Sequence, residues 1–192
     1  VNALAPARPS SAKAWSRALE MTAPIVRHPD RILATVIEEI AEKRGDAPAL
    51  LSDDECLTYR ALAERSNRYA RWALAQGLAK GDVVCLLMPN RPEYMAIWLG
   101  ITRVGGVVAL LNTNLAGLSL AHCINIAAPG HLIVAAELMD RVIAVRQHLA
   151  GEPTIWVHGD GYDHSPRIDG DIDRYPGCTL DDAERRPVTI DD

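Results

Sequence analysis

The sequence predicts an α/β fold: a mostly parallel sheet flanked by helices on both faces, with a small β-hairpin near residues 48–58. Three observations predict it. Val83–Met88 and Val107–Leu111 are apolar runs with no polar alternation, the pattern of strands buried on both faces. Segments of helical periodicity separate these runs and alternate with further short strands. Capping residues and glycine stops fall where the helices should begin and end.

Residues 1–11 carry Pro6, Pro9, Ser10 and Ser11 and are expected to form a loose arm. Over residues 12–22, Ala14, Trp15, Ala18 and Leu19 share one helical face flanked by Lys13 and Arg17. That face is expected to pack on its own domain, with peripheral contact with a membrane as the alternative. Leu33, Val36, Ile37, Ile40 and Ala41 predict a helix from about Ile32 to Arg44, with Asp30 as N-cap and Gly45 as stop. Pro48–Ser52 and Glu55–Thr58 flank the turn Asp53-Asp54 as a hairpin.

Thr58 then caps the longest helix, which ends near Gln76 before Gly77. Tyr59, Leu62, Ala63, Ser66, Tyr69, Ala70, Ala73 and Leu74 form its inner face; Arg60, Glu64, Arg65, Arg68 and Arg71 point outward. The turn Lys80-Gly81-Asp82 feeds the first buried strand. Asn90 is the expected cap of the next helix, with Pro92 in its first turn and Glu93 completing a capping box. Its stripe is Tyr94, Ile97, Trp98 and Ile101, and Gly105-Gly106 end it. After the second strand come a helix from Leu118 to Ala127, a strand His131–Ala135, a helix Leu138–Leu149 and a strand Thr154–His158. From Gly159 onward the chain is acidic, turn-rich and aperiodic, apart from a short helix over Leu180–Arg186. The segments are therefore an N-terminal arm and helix (1–30), an α/β subdomain (31–158), and an acidic loop and tail (159–192).

A chain of 192 residues suffices for one well-cored domain. Phe is absent, so Leu, Ile, Val and Ala must fill the core. A net charge of −5 without a basic block offers nothing to a nucleic acid backbone. Cys56, Cys85, Cys123 and Cys178 are widely spaced with no C-x-x-C pair, which reads as reduced thiols and a cytoplasmic compartment. No apolar run reaches the roughly 18–20 residues of a membrane span.

Chemical motifs are sparse. There is no G-x-G-x-x-G after a strand and no G-x-x-x-x-G-K-[ST]. Gly117-Leu-Ser119-Leu-Ala121 imitates a nucleophile elbow, but the loop Asn112–Ala116 separates Ser119 from its strand. Asp169, Asp171 and Asp173 mimic calcium ligands, yet Arg174 and Leu180 stand where that loop needs Gly and Glu. His122, His158 and His164 lack zinc spacing. No catalytic residue and no metal ligand is read from these motifs.

The ordered set of local patterns carries more. LTYRALAERSNRYARWALAQGLAKGD (57–82), followed by VVCLLMPNRPEYMAIWLGITRVGGVVALLNTNL (83–115), resembles the N-terminal subdomain of acyl-CoA synthetases, which are adenylate-forming enzymes. Leu111-Asn-Thr-Asn-Leu115, Leu120-Ala-His-Cys123, His131-Leu-Ile-Val134 and Trp15–Thr22 make the resemblance closest to the long- and very-long-chain fatty-acyl branch, of fatty-acid-transport-protein type. The resemblance implies a ligase that joins a fatty acid or other carboxylate to ATP, then passes the acyl group to coenzyme A. ATP, Mg²⁺ and coenzyme A are implied for the full-length enzyme. Its phosphate-cradling loop, ribose-binding Asp, Mg²⁺ site and C-terminal Lys find no counterpart in these residues, so the fragment is expected to bind none of these cofactors and to be inactive alone.

By the same resemblance, the loop after strand 107–111 runs beside the pantetheine path of coenzyme A, and the start of helix 138–149 reaches nucleotide phosphates. That implies Asn112, Thr113, Asn114 and Arg141 as cofactor-binding residues, although turn geometry alone also accounts for Asn112 and Asn114. The alternative is a free-standing α/β binding or interaction module that kept the scaffold without the ligase chemistry. A separated half of such a sheet exposes an apolar face or an unpaired edge, so self-association is expected.

Overall fold

The computed structural model of the chain describes residues 10–53, 55–162 and 165–192. Most of the expected arm, Asp54 of the hairpin turn, and Asp163 and His164 of the acidic loop lie outside them. Helix α1 (Ser11–Thr22) is capped by Ser10, whose hydroxyl accepts the Lys13 N–H at 3.4 Å. It buries none of its side chains, so the expected packing on its own domain does not form. The reason lies in the body, whose helices α2 (Leu33–Arg44), α3 (Tyr59–Ala75) and α4 (Pro92–Arg103) are already paired with one another.

Two expected caps are displaced. Asp30 accepts the Ile32 N–H with its carbonyl, so α2 starts at Leu33 without a side-chain cap. Likewise Arg91, not Asn90, holds the N-cap place of α4, where Pro92 at the first position needs no N–H partner. Thr58 does cap α3, accepting the Ala61 N–H at 3.2 Å, and Gly77 takes the left-handed φ of 76° that ends it. Strands β1 (Pro48–Leu51) and β2 (Cys56–Thr58) form the hairpin ahead of α3.

Beyond α3 the chain alternates as β3 (Val83–Leu87), α4, β4 (Val107–Leu110), α5 (Gly117–Ala127), β5 (His131–Ala135), α6 (Met139–Val145), β6 (Thr154–His158) and α7 (Ile168–Ile172). The helix expected over Leu138–Leu149 is thus shorter, with 3₁₀ turns Ala136–Leu138 and Arg146–His148 tightening its two ends. The acidic segment, expected to be aperiodic, forms helix α7, whose Ile168 and Ile172 stand at helical spacing and are both buried. The helix expected over Leu180–Arg186 does not form, because a buried arginine of α3 claims the backbone carbonyls just ahead of it.

That arginine is Arg71, expected on the outer face of α3 and found buried. Its guanidinium donates to the carbonyls of Pro176 (2.5 Å), Cys178 (2.7 Å) and Thr179 (3.1 Å), and forks onto Glu184 at 2.7 and 2.8 Å. Trp72 beside it, missing from the expected stripe, is also fully buried. Helix α3 is therefore enclosed on most of its circumference, by α4 and the sheet on one side and by the returning C-terminal segment on the other.

The four long-range strands pair in the order β4-β3-β5-β6, all parallel. Right-handed crossovers put α4 on one face and α5 and α6 on the other; α3 packs against α4, and α5 against α6. Helices thus flank both faces, as the sequence predicts. Val84–Leu87 and Leu132–Ala135 are fully buried in the two central strands. Strand β4 is not buried on both sides: it is the sheet edge, with Val107 49% and Leu110 44% exposed. Its apolar run reads like that of β3 because its exposed positions are apolar too. Cys85 lies in β3, where burial pushes its thiol up to about 12; all four cysteines are free.

Under α3, Trp72 stands edge-on to Trp156 and His131, with ring centroids 5.1 and 5.7 Å away. Trp156 Nε1–H donates to His131 Nδ1 at 3.2 Å, which assigns a neutral imidazole protonated on Nε2. Burial lowers the His131 pKa, and that of His158 at the end of β6, from 6.5. Between 6.5 and these depressed folded values the unfolded chain binds more protons, so stability rises with pH across that window. Urea midpoints should therefore fall steadily from pH 7.5 to pH 5.5, and a flat profile would contradict the assignment.

Candidate functional site

In an open parallel sheet, ligands sit outside the carboxyl ends of the strands, where neighbouring crossovers diverge. Here that point lies between β3, which leads outward to β4, and β5, which leads the other way to β6. Four loops converge on this rim. Arg91, after β3, makes an ion pair with Glu137, after β5, spanning the divergence. Tyr162, after β6, donates its hydroxyl proton to Asp140 at the start of α6.

The turn after β4 carries three of the expected cofactor-binding residues. Asn112 Oδ1 accepts the Asn114 N–H at 2.9 Å and its carbonyl accepts the Leu115 N–H at 3.0 Å. This is the Asx geometry that asparagine favours in turns. Arg141 reaches across from α6 and donates to the carbonyl of Thr113. The structure therefore brings Asn112, Thr113, Asn114 and Arg141 together. Asn112 and Thr113 also line a cavity of about 390 Å³ with Met88, Asn90, Tyr94 and Leu111. Asn114 is exposed beside it.

A second cleft, about 500 Å³, opens next to the first and was not anticipated. Glu93, 5% exposed, sits at its base. Arg65 donates to Glu93 at 2.5 Å and to Glu55 at 3.0 Å, and the buried Tyr69 hydroxyl donates to the other Glu93 oxygen. Burial, then the Glu93 charge, holds the Tyr69 hydroxyl well above its usual pKa, so it stays a donor. Arg91, Arg167, Asp169 and His158 line the walls. His158 Nδ1 is buried with no partner among the described residues. Glu93 was legible as a helix-start residue only; its contact with Arg65 and Tyr69 joins two helices that sequence spacing cannot align. Ser119 lies in the first turn of α5, well past the end of β4, so no nucleophile elbow exists there. Asp169 and Asp171 belong to α7 instead of a calcium loop.

Comparison with known proteins fits this geometry. The family model described as "AMP-binding enzyme" matches residues 37–187. Long-chain fatty acid transport protein 2 of Rattus norvegicus is 35% identical over 157 residues, 81% of this chain and 25% of that protein. A long-chain-fatty-acid–CoA ligase of Salmonella typhimurium is 33% identical over 138 residues, 68% of this chain and 24% of the ligase. The chain thus spans about a quarter of the length of these curated relatives. Among solved structures, an anthranilate CoA ligase in complex with anthranoyl-AMP superposes with a TM-score of 0.72 at 23% identity, covering 80% of this chain and 30% of that one. A Mycobacterium tuberculosis fatty acyl CoA synthetase superposes at 0.67 and 23%, covering 76% and 28%. These two likenesses bear on the fold alone. Because the family model matches residues 37–187, most of this chain, the chain belongs to the AMP-binding enzymes, as an N-terminal region of the acyl-CoA ligase type.

Proposed function

We propose that this chain is the N-terminal part of a fatty-acid–CoA ligase, which activates a fatty acid or similar carboxylate with ATP and transfers the acyl group to coenzyme A. The observation that supports this reading is the meeting of Arg141 with the Asn112–Asn114 turn in a chain that matches the family over residues 37–187. The Thr113 hydroxyl and Asn114 amide are neutral hydrogen-bonding groups, suited to the amides of a pantetheine arm. Arg141 is already engaged with the Thr113 carbonyl, so its first role is to hold the turn. Among the described residues no three His, Cys, Asp or Glu side chains are grouped to hold a metal ion. In this reading the steps through Mg²⁺ and ATP belong to the rest of the enzyme, and the chain alone is inactive.

The same reading makes the protein cytoplasmic, with peripheral contact with a membrane through α1; no helix among the described residues is long and apolar enough to cross one. It also makes the open β4 edge the surface through which the isolated chain self-associates. The decisive experiment joins this chain to the remaining three quarters of a long-chain-fatty-acid–CoA ligase and measures thioester formation. The chimera should be active, and Asn114→Ala should raise its KM for coenzyme A about tenfold, the cost of one lost hydrogen bond, leaving adenylate formation unchanged. An inactive but folded chimera, an unchanged KM, or pyrophosphate release by the 192-residue chain alone would each defeat the proposal.

A further inference from the structure

The least partnered apolar surface among the described residues is α1 and the turn after it. Trp15 is 70% exposed, Leu19 63%, Met21 69% and Val26 81%. Such side chains normally find cover, and no part of the body provides it here. The charges on the same stretch run against the rest of the molecule. Residues 10–27 carry Lys13, Arg17 and Arg27 against Glu20 alone, in a chain whose net charge is −5. In the helix Lys13 and Arg17, two positions either side of Trp15, lie about 160° around from it, so they sit across from the apolar face and do not flank it as expected. An apolar face backed by a basic one is the distribution of a helix that lies in a membrane interface.

We propose that α1 docks on an anionic lipid surface, with Trp15 and Leu19 among the headgroups and Lys13, Arg17 and Arg27 drawn by the lipid charge. The inference rests on the peripheral reading of α1 and deepens it by naming the lipid class. Neither ingredient suffices alone. Two large side chains give marginal insertion, and three cations give an attraction that salt removes. Together they select vesicles that are negatively charged.

The test is co-sedimentation of the whole chain with vesicles of phosphatidylcholine, with and without phosphatidylserine, at low and high salt. Binding should require phosphatidylserine and vanish at high salt. The triple variant K13Q/R17Q/R27Q should bind on the order of a hundredfold more weakly. Brominated acyl chains should quench Trp15, while the buried Trp72 and Trp156 stay bright. Because α1 buries no residue, the variant W15S/L19S keeps the fold and should lose binding. Equal binding to both vesicles would overturn the lipid class and leave the peripheral reading standing. Binding to neither, or wild-type binding by W15S/L19S, would overturn both. Pelleting without vesicles that W15S/L19S abolishes would identify a second copy of the chain as the occupant and sink the proposal.

Discussion

Replacing Arg71 by alanine should cost about 2–3 kcal/mol of stability and set the segment from Pro176 to Glu184 free. The side chain is 7% exposed and gives all its hydrogen bonds to that segment: three backbone carbonyls, the Cys178 sulfur and a two-pronged contact with Glu184. Alanine removes the donor that gathers those carbonyls and leaves Glu184 only the Asp181 N–H, and the penalty is the loss of several charge-assisted bonds in a segment that water reaches. A loss of this size is a large fraction of the total stability of a domain, about 5–15 kcal/mol. Arg71→Lys is therefore the companion variant, because it keeps the charge and loses the planar fork. It should fold, with a smaller drop in urea midpoint. In both variants, hydrogen exchange should accelerate across residues 176–184 before it does in β3 or β5, and trypsin should cut sooner after Arg185, the Arg186–Pro187 bond being resistant. Native protection of the segment in Arg71→Lys, with an unchanged midpoint, would show that apolar packing through the buried Leu180 holds it instead.

The same residue marks where sequence reasoning stops. Strands β3 and β5 were legible because a strand buried on both faces leaves a continuous apolar run, and nothing outside the run is needed to see it. The edge position of β4 was not legible. Val107 and Leu110 are as apolar as the residues of β3, and only the order of pairing tells an edge from a centre. Arg71 falls among the arginines of the outer face by periodicity, and becomes interior only because a segment more than a hundred residues later folds back over it. At the rim, the Asn112–Asn114 turn was legible from resemblance and from the turn chemistry of asparagine. The Arg91–Glu137 pair and the Glu93 network were not, because each joins elements whose proximity is a property of the sheet.

Gly100 provides the second large effect, and it connects packing to the rim. It lies in α4 where that helix crosses α3. A Cβ built there would stand 2.5 Å from the Ser66 carbonyl oxygen, 2.5 Å from Tyr69 Cβ and 3.0 Å from the Ala70 nitrogen. These are backbone and near-backbone atoms that cannot rotate away, so a side chain has to force the helices apart. Alanine's helix propensity returns about 1 kcal/mol, whereas overpacking costs about 1–3 kcal/mol, so Gly100→Ala should be destabilising on balance. Gly100→Val adds two more methyl groups and should lose about 3 kcal/mol or more. The internal control is Gly170→Ala in α7, where a Cβ would meet nothing within 4 Å. There the propensity gain stands alone and the change should be neutral or stabilising by up to about 1 kcal/mol. The displacement should not stay at the crossing. Tyr69 lies directly beneath Gly100 and its hydroxyl holds Glu93, so separating the helices draws that donor away from the base of the charged cleft. Opening the crossing admits water to Tyr69 and draws it from Glu93, so the phenol pKa, raised first by burial and then by the Glu93 charge, should move down in ultraviolet titration of Gly100→Ala. If Gly100→Ala and Gly170→Ala instead shift stability by the same amount and sign, α3 and α4 are not in the close contact that shapes this end of the molecule.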